Sequence, residues 1–157
     1  MVTGWLLAGL FSPPSLAHAQ DGRPLVVLMR LDGALTPVME SYLQRGFEIA
    51  DDLDASAVVI ELNTPGGSID LMERIVTLIR NYHRPVIVYV SPRGAMAGSA
   101  GTMITLAGHL SAMAPETLIG AASPVGGEGE DIGETMEAKV KEVMKALVRN
   151  LTAGEIL

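Results

Sequence analysis

The chain has 157 residues, 48% of them hydrophobic, enough for one domain with a sizeable buried centre. Eleven basic residues against eighteen acidic ones leave a formal charge of −7, a poor match for nucleic acid or an anionic membrane surface. The absence of cysteine excludes disulfides, thiolate metal sites and a cysteine nucleophile, and 4% aromatic content means a core packed by aliphatic side chains.

Residues 1–20 hold an apolar stretch from Trp5 to Phe11 and a small-x-small triplet, Ala17-His18-Ala19. The pattern reads as a secretory signal peptide over residues 1–19, without the usual positive start, and implies export to the extracytoplasmic side or periplasm. No segment approaches the ~18 apolar residues of a membrane span. Residues 25–31 then predict a strand that ends at Asp32-Gly33. Thr36-Pro37 has the form of a helix cap followed by proline at the first helical position. That helix is expected to turn Val38, Tyr42 and Ile49 inward and to run out near Asp54. Residues 57–62 (AVVIEL) are nearly all apolar, which predicts a strand buried on both faces of a parallel sheet. Asn63-Thr64-Pro65-Gly66-Gly67 is a turn, and Ser68 can cap a helix in which Ile69, Met72, Ile75, Val76 and Ile79 recur at helical spacing. Residues 85–90 predict another buried strand. A run of small residues, 94–101, leads into an apolar helix through Leu106. Residues 110–114 and 118–121 are short strand candidates, 124–133 is a glycine-rich acidic loop, and a last helix starts near Glu134. This alternation predicts a single α/β domain with parallel pairing. Asp51, Asp52 and Asp54 read as a solvated helix end rather than a metal site.

Two glycine-bearing turns stand at strand-to-helix junctions. At Gly66-Gly67 no side chain shields the backbone amides, so the turn is either an anion site, half of an oxyanion hole, or an ordinary tight turn. The second junction is Arg93-Gly94-Ala95-Met96-Ala97-Gly98-Ser99-Ala100-Gly101-Thr102. Ser99 has only small neighbours and the Ala100 amide beside it, which suits a nucleophile. The same composition also suits a stripe packed closely on the sheet. Ser91, Ser123 and Thr102 are weaker hydroxyl candidates. His18, His83 and His109 have no evident carboxylate partner, so a Ser-His-Asp arrangement is poorly supported. Lysine can serve as the base where an apolar site lowers its pKa. At about 100° per residue, Met136, Val140, Val143 and Leu147 share one face of the last helix. Lys139 lies at the edge of that face, whereas Lys141 and Lys145 point away, near Glu142 and Arg149. Lys139 is thus either a base drawn out of water or a lysine snorkelling from the rim.

The segments NTPGGSID, GAMAGSAGT, AMAPETLIGAASPVGGEGEDIG and TMEAKV closely resemble the NfeD-like membrane-bound serine proteases, over about residues 25–149. The resemblance implies the ClpP/crotonase superfold, a spiral of β-β-α units, over residues 20–157. It implies an endopeptidase with a Ser-Lys dyad, in which Ser99 is the nucleophile and Lys139 the general base. The oxyanion-hole amides fall on Gly67 and Ala100. Gly66, Gly126 and Gly127 are candidate substrate-binding positions, the latter two in a loop that is either a substrate-binding edge or a plain connection. In the ClpP branch a histidine stands two residues before a Pro-x-Gly-Gly segment. Here that segment is Pro124-Val125-Gly126-Gly127 and the corresponding position is Ala122, which fits a lysine base.

The resemblance further implies a protein substrate, apolar segments of membrane-associated partners such as stomatin-like proteins, and assembly as a dimer or larger. It implies no metal or organic cofactor and no nucleic acid. Longer relatives continue into transmembrane helices and a β-barrel domain. This chain stops at Leu157, as a truncated or a short form, and its last residues, NLTAGEIL, fit the family pattern less well. Two alternatives stand beside the protease: an inactive module of the same fold that binds an extended peptide or membrane protein, and a crotonase-type acyl-CoA enzyme.

Overall fold

Apolar runs alternating with capped amphipathic segments build nine elements over residues 24–120 of the computed structural model, which also describes Glu142, Lys145, Ala146 and Arg149. In chain order they are β1 (Val26–Asp32), α1 (Pro37–Asp52), β2 (Ala57–Asn63), α2 (Ile69–Asn81), β3 (Val86–Val90), β4 (Met96–Gly98), α3 (Ala100–Ala107), β5 (Leu110–Met113) and β6 (Leu118–Gly120). Two of the helices begin on the caps expected from sequence. The Thr36 hydroxyl accepts from the Met39 N–H and the Ser68 hydroxyl from the Leu71 N–H, each satisfying a donor that the first turn leaves open.

Every strand pair is parallel. The main sheet runs β1-β2-β3-β5 and a second sheet pairs β4 with β6. Because β3 is followed by β4 before α3, and β5 by β6, successive units place one strand in each sheet, the β-β-α pattern expected above. A strand order that advances in one direction through right-handed crossovers sends all of its helices to one face. Burial follows that rule. Met29 and Leu31, Val58, Ile60 and Leu62, and Val86, Val88 and Val90 form the buried face, against Leu43, Phe47, Ile75, Ile79, Met103 and Ile104 from the helices.

The expectation that β2 is buried on both faces is therefore corrected. Its residues alternate between fully and partly buried, and the opposite face of the sheet carries Leu28, 56% exposed, and Leu110, 63% exposed, with Val59 and Ile87 between them. Parallel strands need cover on two faces only when crossovers return on both sides, and among the described residues they do not.

The inward face of α1 is also corrected. Val38, Tyr42 and Ile49 are exposed, whereas Leu43, Gly46, Phe47 and Ala50 are buried. The buried stripe is the one that contains the smallest residues, since α1 lies directly over β1. A Cβ added at Gly46 would come within 1.9 Å of the Met29 sulfur. Bulk at Val38 and Ile49 suggests the wrong face, because close approach selects glycine and alanine instead.

Asp51 and Asp54 are not simply solvated. Arg84 donates to both, at 3.2 and 2.9 Å, and the Tyr82 hydroxyl donates to Asp51 at 2.7 Å. This cluster ties the end of α1 to the start of β3, and Tyr82 stacks on Phe47 with ring centroids 4.3 Å apart. Burial, and next the Asp51 hydrogen bond, push the Tyr82 phenol up to about 12. The unfolded phenol titrates near ~10, so the folded state holds the proton more tightly and stability is flat below that pH. It then falls as the pH climbs towards about 12. Urea midpoints at pH 9 and pH 11.5 should therefore differ more for the wild type than for Tyr82→Phe.

Candidate active site

The two glycine-bearing junctions are brought side by side. β2 ends at Asn63, and the next residue, Thr64, forms a parallel bridge with Ala97 of β4. The Thr64 N–H donates to the Met96 carbonyl at 2.7 Å and the Gly98 N–H to the Thr64 carbonyl at 2.9 Å. The Asn63 side chain reinforces the seam, accepting from the Met96 N–H at 3.0 Å and donating to Asp32 at 2.8 Å. The turn after β2 and the turn after β4 thus leave adjacent strands in the same direction.

Contact between these turns explains the small residues. A Cβ at Gly66 would lie 2.8 Å from the Ser99 Cβ, 3.0 Å from the Gly98 carbonyl oxygen and 3.2 Å from the Ala100 nitrogen. A Cβ at Gly101 would lie 2.6 Å from the Thr64 methyl, and one at Gly98 would lie 3.0 Å from the Pro65 carbonyl oxygen. The close-packing reading of this run holds at Gly98 and Gly101. Gly98 is small because the Pro65 backbone lies against it and Gly101 because the Thr64 methyl does, and their smallness sets Ser99 against the Gly66 turn.

Ser99 itself is conformationally unusual. It occupies the cap position of α3 with φ 49° and ψ −115°, outside the regions that L-residues ordinarily adopt, and its hydroxyl makes no capping bond. Thr36 and Ser68 occupy the same position on α1 and α2 with extended backbone, and both cap. The turn is held by its surroundings instead. The Ser99 N–H donates to the Gly120 carbonyl at 2.8 Å, and the Thr102 hydroxyl bridges the Ala97 and Gly120 carbonyls at 3.0 and 3.2 Å. A strained strand-to-helix turn of this kind turns a serine hydroxyl out of the cap and towards a ligand. Among the described residues, the Ser99 hydroxyl has no hydrogen-bond partner, and the side chain is partly exposed.

The amides nearby are equally uncommitted. Ala100 is the first residue of α3, where the N–H has no intrahelical acceptor and the helix dipole presents its positive end. The Gly67 N–H likewise donates to no described acceptor, whereas the Gly66 N–H is taken by the Thr64 hydroxyl at 3.0 Å. Two backbone donors and a hydroxyl without a described partner thus stand on the two adjoining turns.

The remaining candidates fall elsewhere. Lys139, Gly126, Gly127, Ala122 and Ser123 lie outside the described residues. Of the last helix, Glu142, Lys145, Ala146 and Arg149 are helical, and Lys145 pairs with Glu142 at 2.7 Å, on the solvent side expected of it. His83 lies 3.5 Å from Asp51, and His109 accepts from the Val86 N–H at the opposite end of β3 from the Ser99 turn. The Ser91 hydroxyl is buried without a described partner and lines a groove of about 600 Å³ with Arg30, Asp32, Glu61 and Tyr89, on the sheet face opposite the described helices α1–α3. Thr102 braces the Ser99 turn rather than offering a nucleophile. Asn63 and Thr64 were legible only as turn formers. A side-chain acceptor at each of two consecutive positions before Pro-Gly-Gly is the signal that they brace the turn.

The sequence model of the NfeD1b N-terminal domain matches residues 25–151. The membrane-bound protease PH1510 of Pyrococcus horikoshii is 41% identical over 138 residues, 87% of this chain and 31% of its own length. The membrane protein NfeD1b of Bacillus subtilis is 33% identical over 134 residues, 85% of this chain and 30% of its own. The chain therefore spans less than a third of these curated relatives. Among solved structures, a serine-to-alanine variant of the 1510-N membrane-bound stomatin-specific protease superposes with a TM-score of 0.75 at 36% identity, covering 83% of this chain and 64% of that one. A lysine-to-alanine variant of 1510-N, in complex with a substrate peptide, matches with the same score and identity over 84% of this chain and 61% of that one. ClpP1 from Listeria monocytogenes, at 19% identity and a TM-score of 0.67 over 80% of this chain and 72% of that one, shares the fold.

Proposed function

The chain belongs to the NfeD1b N-terminal domain family, and from that premise we propose that it is a serine endopeptidase working through a Ser-Lys dyad. The carrying observation is Ser99, a cap-position serine whose hydroxyl caps nothing and which abuts the Gly66-Gly67 turn. Ser99 is the nucleophile and Lys139 the general base. Lys139 in its neutral form takes the Ser99 proton as the oxygen attacks the scissile carbonyl carbon. The Gly67 and Ala100 amides stabilise the oxyanion, and collapse of the tetrahedral intermediate expels the amine, which leaves with that proton. Water then repeats the sequence on the acyl-enzyme, releasing the acid and restoring the serine. Relatives support the assignment of roles. The 1510-N protease has been solved both as a serine and as a lysine variant, the latter holding a substrate peptide.

The 1510-N relative is stomatin-specific, and the substrate proposed here is an apolar segment of a membrane-associated, stomatin-like protein, with Gly66, Gly126 and Gly127 contributing backbone contacts to it. The protein acts as a homo-oligomer on the extracytoplasmic side, residues 1–19 serving as its export signal. The test is cleavage of a fluorogenic apolar peptide by the purified chain. Ser99→Ala and Lys139→Ala are each expected to lower the rate by at least about a thousandfold, as loss of a dyad member does. A Ser99→Ala variant that cleaves as fast as the wild type overturns the proposal, and one that still binds the peptide shows that the two functions separate.

A further inference from the structure

Catalysis by an oxyanion hole depends on where an amide points, and the Gly66–Gly67 peptide carries a device that sets this. Its carbonyl accepts a 2.9 Å hydrogen bond from the Leu35 N–H, in the loop between β1 and α1. The Ser91–Pro92 bond is the cis peptide recorded among the described residues, so the Gly66–Gly67 peptide is trans. In a trans peptide the C=O and the N–H point in opposite directions. Anchoring the Gly66 carbonyl on Leu35 therefore directs the Gly67 N–H away from the β1–α1 loop. Ser99 and Ala100 stand against this same turn, since a Cβ added at Gly66 would lie 2.8 Å from the Ser99 Cβ and 3.2 Å from the Ala100 nitrogen.

Two further contacts stop the peptide from rotating. The Thr64 hydroxyl accepts from the preceding amide, Gly66 N–H, at 3.0 Å, and donates to the Gly66 carbonyl over a longer 3.5 Å, so the Leu35 N–H is the shorter of that carbonyl's two anchors. On the Gly67 side, an added Cβ would meet the Leu35 Cβ at 2.7 Å and the Leu35 nitrogen at 3.3 Å, so Leu35 sits directly against the turn. Leu35 is itself held. It is buried at 8% exposure, and the loop that carries it is anchored by the Gly33 N–H, which donates to the Asn63 carbonyl at 2.9 Å. With φ at +115°, Gly66 also has the freedom to let this peptide flip once the anchor is gone.

We propose that the Leu35 backbone N–H is the positioning element of the oxyanion hole: it holds the Gly66–Gly67 peptide in the orientation that presents the Gly67 amide to Ser99. Leu35 touches no reacting atom and acts through Gly66. The inference rests on the assignment of Ser99 and Gly67 proposed above.

An amide-to-ester replacement at position 35, made by incorporating the α-hydroxy analogue of leucine, removes this one donor and keeps the side chain. Leu35→Ala keeps the donor and trims the side chain. Both are compared with the wild-type chain by inactivation with a fluorophosphonate probe, whose phosphonyl oxygen occupies the oxyanion position, separating the limiting rate from probe affinity. Removing an oxyanion donor outright costs ~100- to 1000-fold, so loss of its aim should slow the limiting inactivation rate of the ester variant by about tenfold or more. Probe affinity should change little, and Leu35→Ala, which keeps the N–H, should lose less of the limiting rate than the ester variant does; an equal or larger loss in Leu35→Ala overturns the inference in favour of packing. Circular dichroism identifies a folded ester variant. A folded ester variant with the wild-type limiting rate overturns this inference while leaving the active site intact. A folded wild type that the probe does not modify at Ser99 overturns the active-site assignment, and this inference with it.

Discussion

Ser99→Gly is expected to stabilise the chain relative to Ser99→Ala while both variants lose all acylation. Backbone strain at φ 49°, ψ −115° costs an L-residue about 1–3 kcal/mol, which glycine does not incur. Part of the gain is offset by the extra freedom of glycine in the unfolded chain, about 0.4–1 kcal/mol. The net difference should therefore be about 1 kcal/mol, or roughly 2–4 °C in unfolding midpoint for a chain of this size. Ser99→Ala keeps the strain and deletes a hydroxyl that has no described partner, so its midpoint should stay within about 0.5 kcal/mol of wild type. Ordinary capping predicts the reverse. Losing a true serine cap costs about 1 kcal/mol, and the same replacement at Ser68 should show that loss. If Ser99→Ala destabilises as much as Ser68→Ala, then Ser99 is a cap and not a presented nucleophile.

Gly66→Ala is the second large effect, because strain and collision coincide there. At φ +115° an alanine is strained, and its Cβ would press on Ser99 Cβ at 2.8 Å and on backbone at 3.0 and 3.2 Å, atoms that cannot swing aside. Strain of about 1–3 kcal/mol and overpacking of about 1–3 kcal/mol together should cost roughly 3 kcal/mol or more. Gly94 is the matched control, with φ +79° and no neighbour within 4 Å of an added Cβ. Gly94→Ala should cost only the strain, about 1–2 kcal/mol. Chemical denaturation of the three proteins checks this, and the active-site variant should also lose peptide cleavage while Gly94→Ala retains it. Equal costs at the two glycines would mean that the turns do not touch.

Local signals made the elements legible. Thr36-Pro37 and Ser68 announced two helices by their caps, and the apolar periodicity of residues 69–79 matched the buried face of α2 at Met72, Ile75, Val76 and Ile79. Both glycine junctions were visible as turns, because only glycine meets the steric demand they impose. What stayed hidden depends on long-range geometry. β4 is only three residues, Met96-Ala97-Gly98, whose strand character comes from pairing with Leu118–Gly120 and Thr64 rather than from propensity. That α1, α2 and α3 share one face of the sheet follows from strand order, which no window of residues carries. The strain at Ser99 and the Leu35 anchor involve backbone groups with no side-chain signature, so neither could be read in advance. Residue composition gave Ser99 only small neighbours, which suited a nucleophile and a packed stripe alike, and the resemblance to a protease family attached the role to it. The backbone shows why a serine at that position is turned out of the helix cap.

The most direct measurement is covalent labelling of the purified chain with a fluorophosphonate probe, followed by mass-spectrometric mapping of the modified residue. The account predicts a single stoichiometric adduct on Ser99, absent from Ser99→Ala and strongly slowed in Lys139→Ala. An adduct on Ser91 or any other hydroxyl, or no adduct on folded protein, would contradict it.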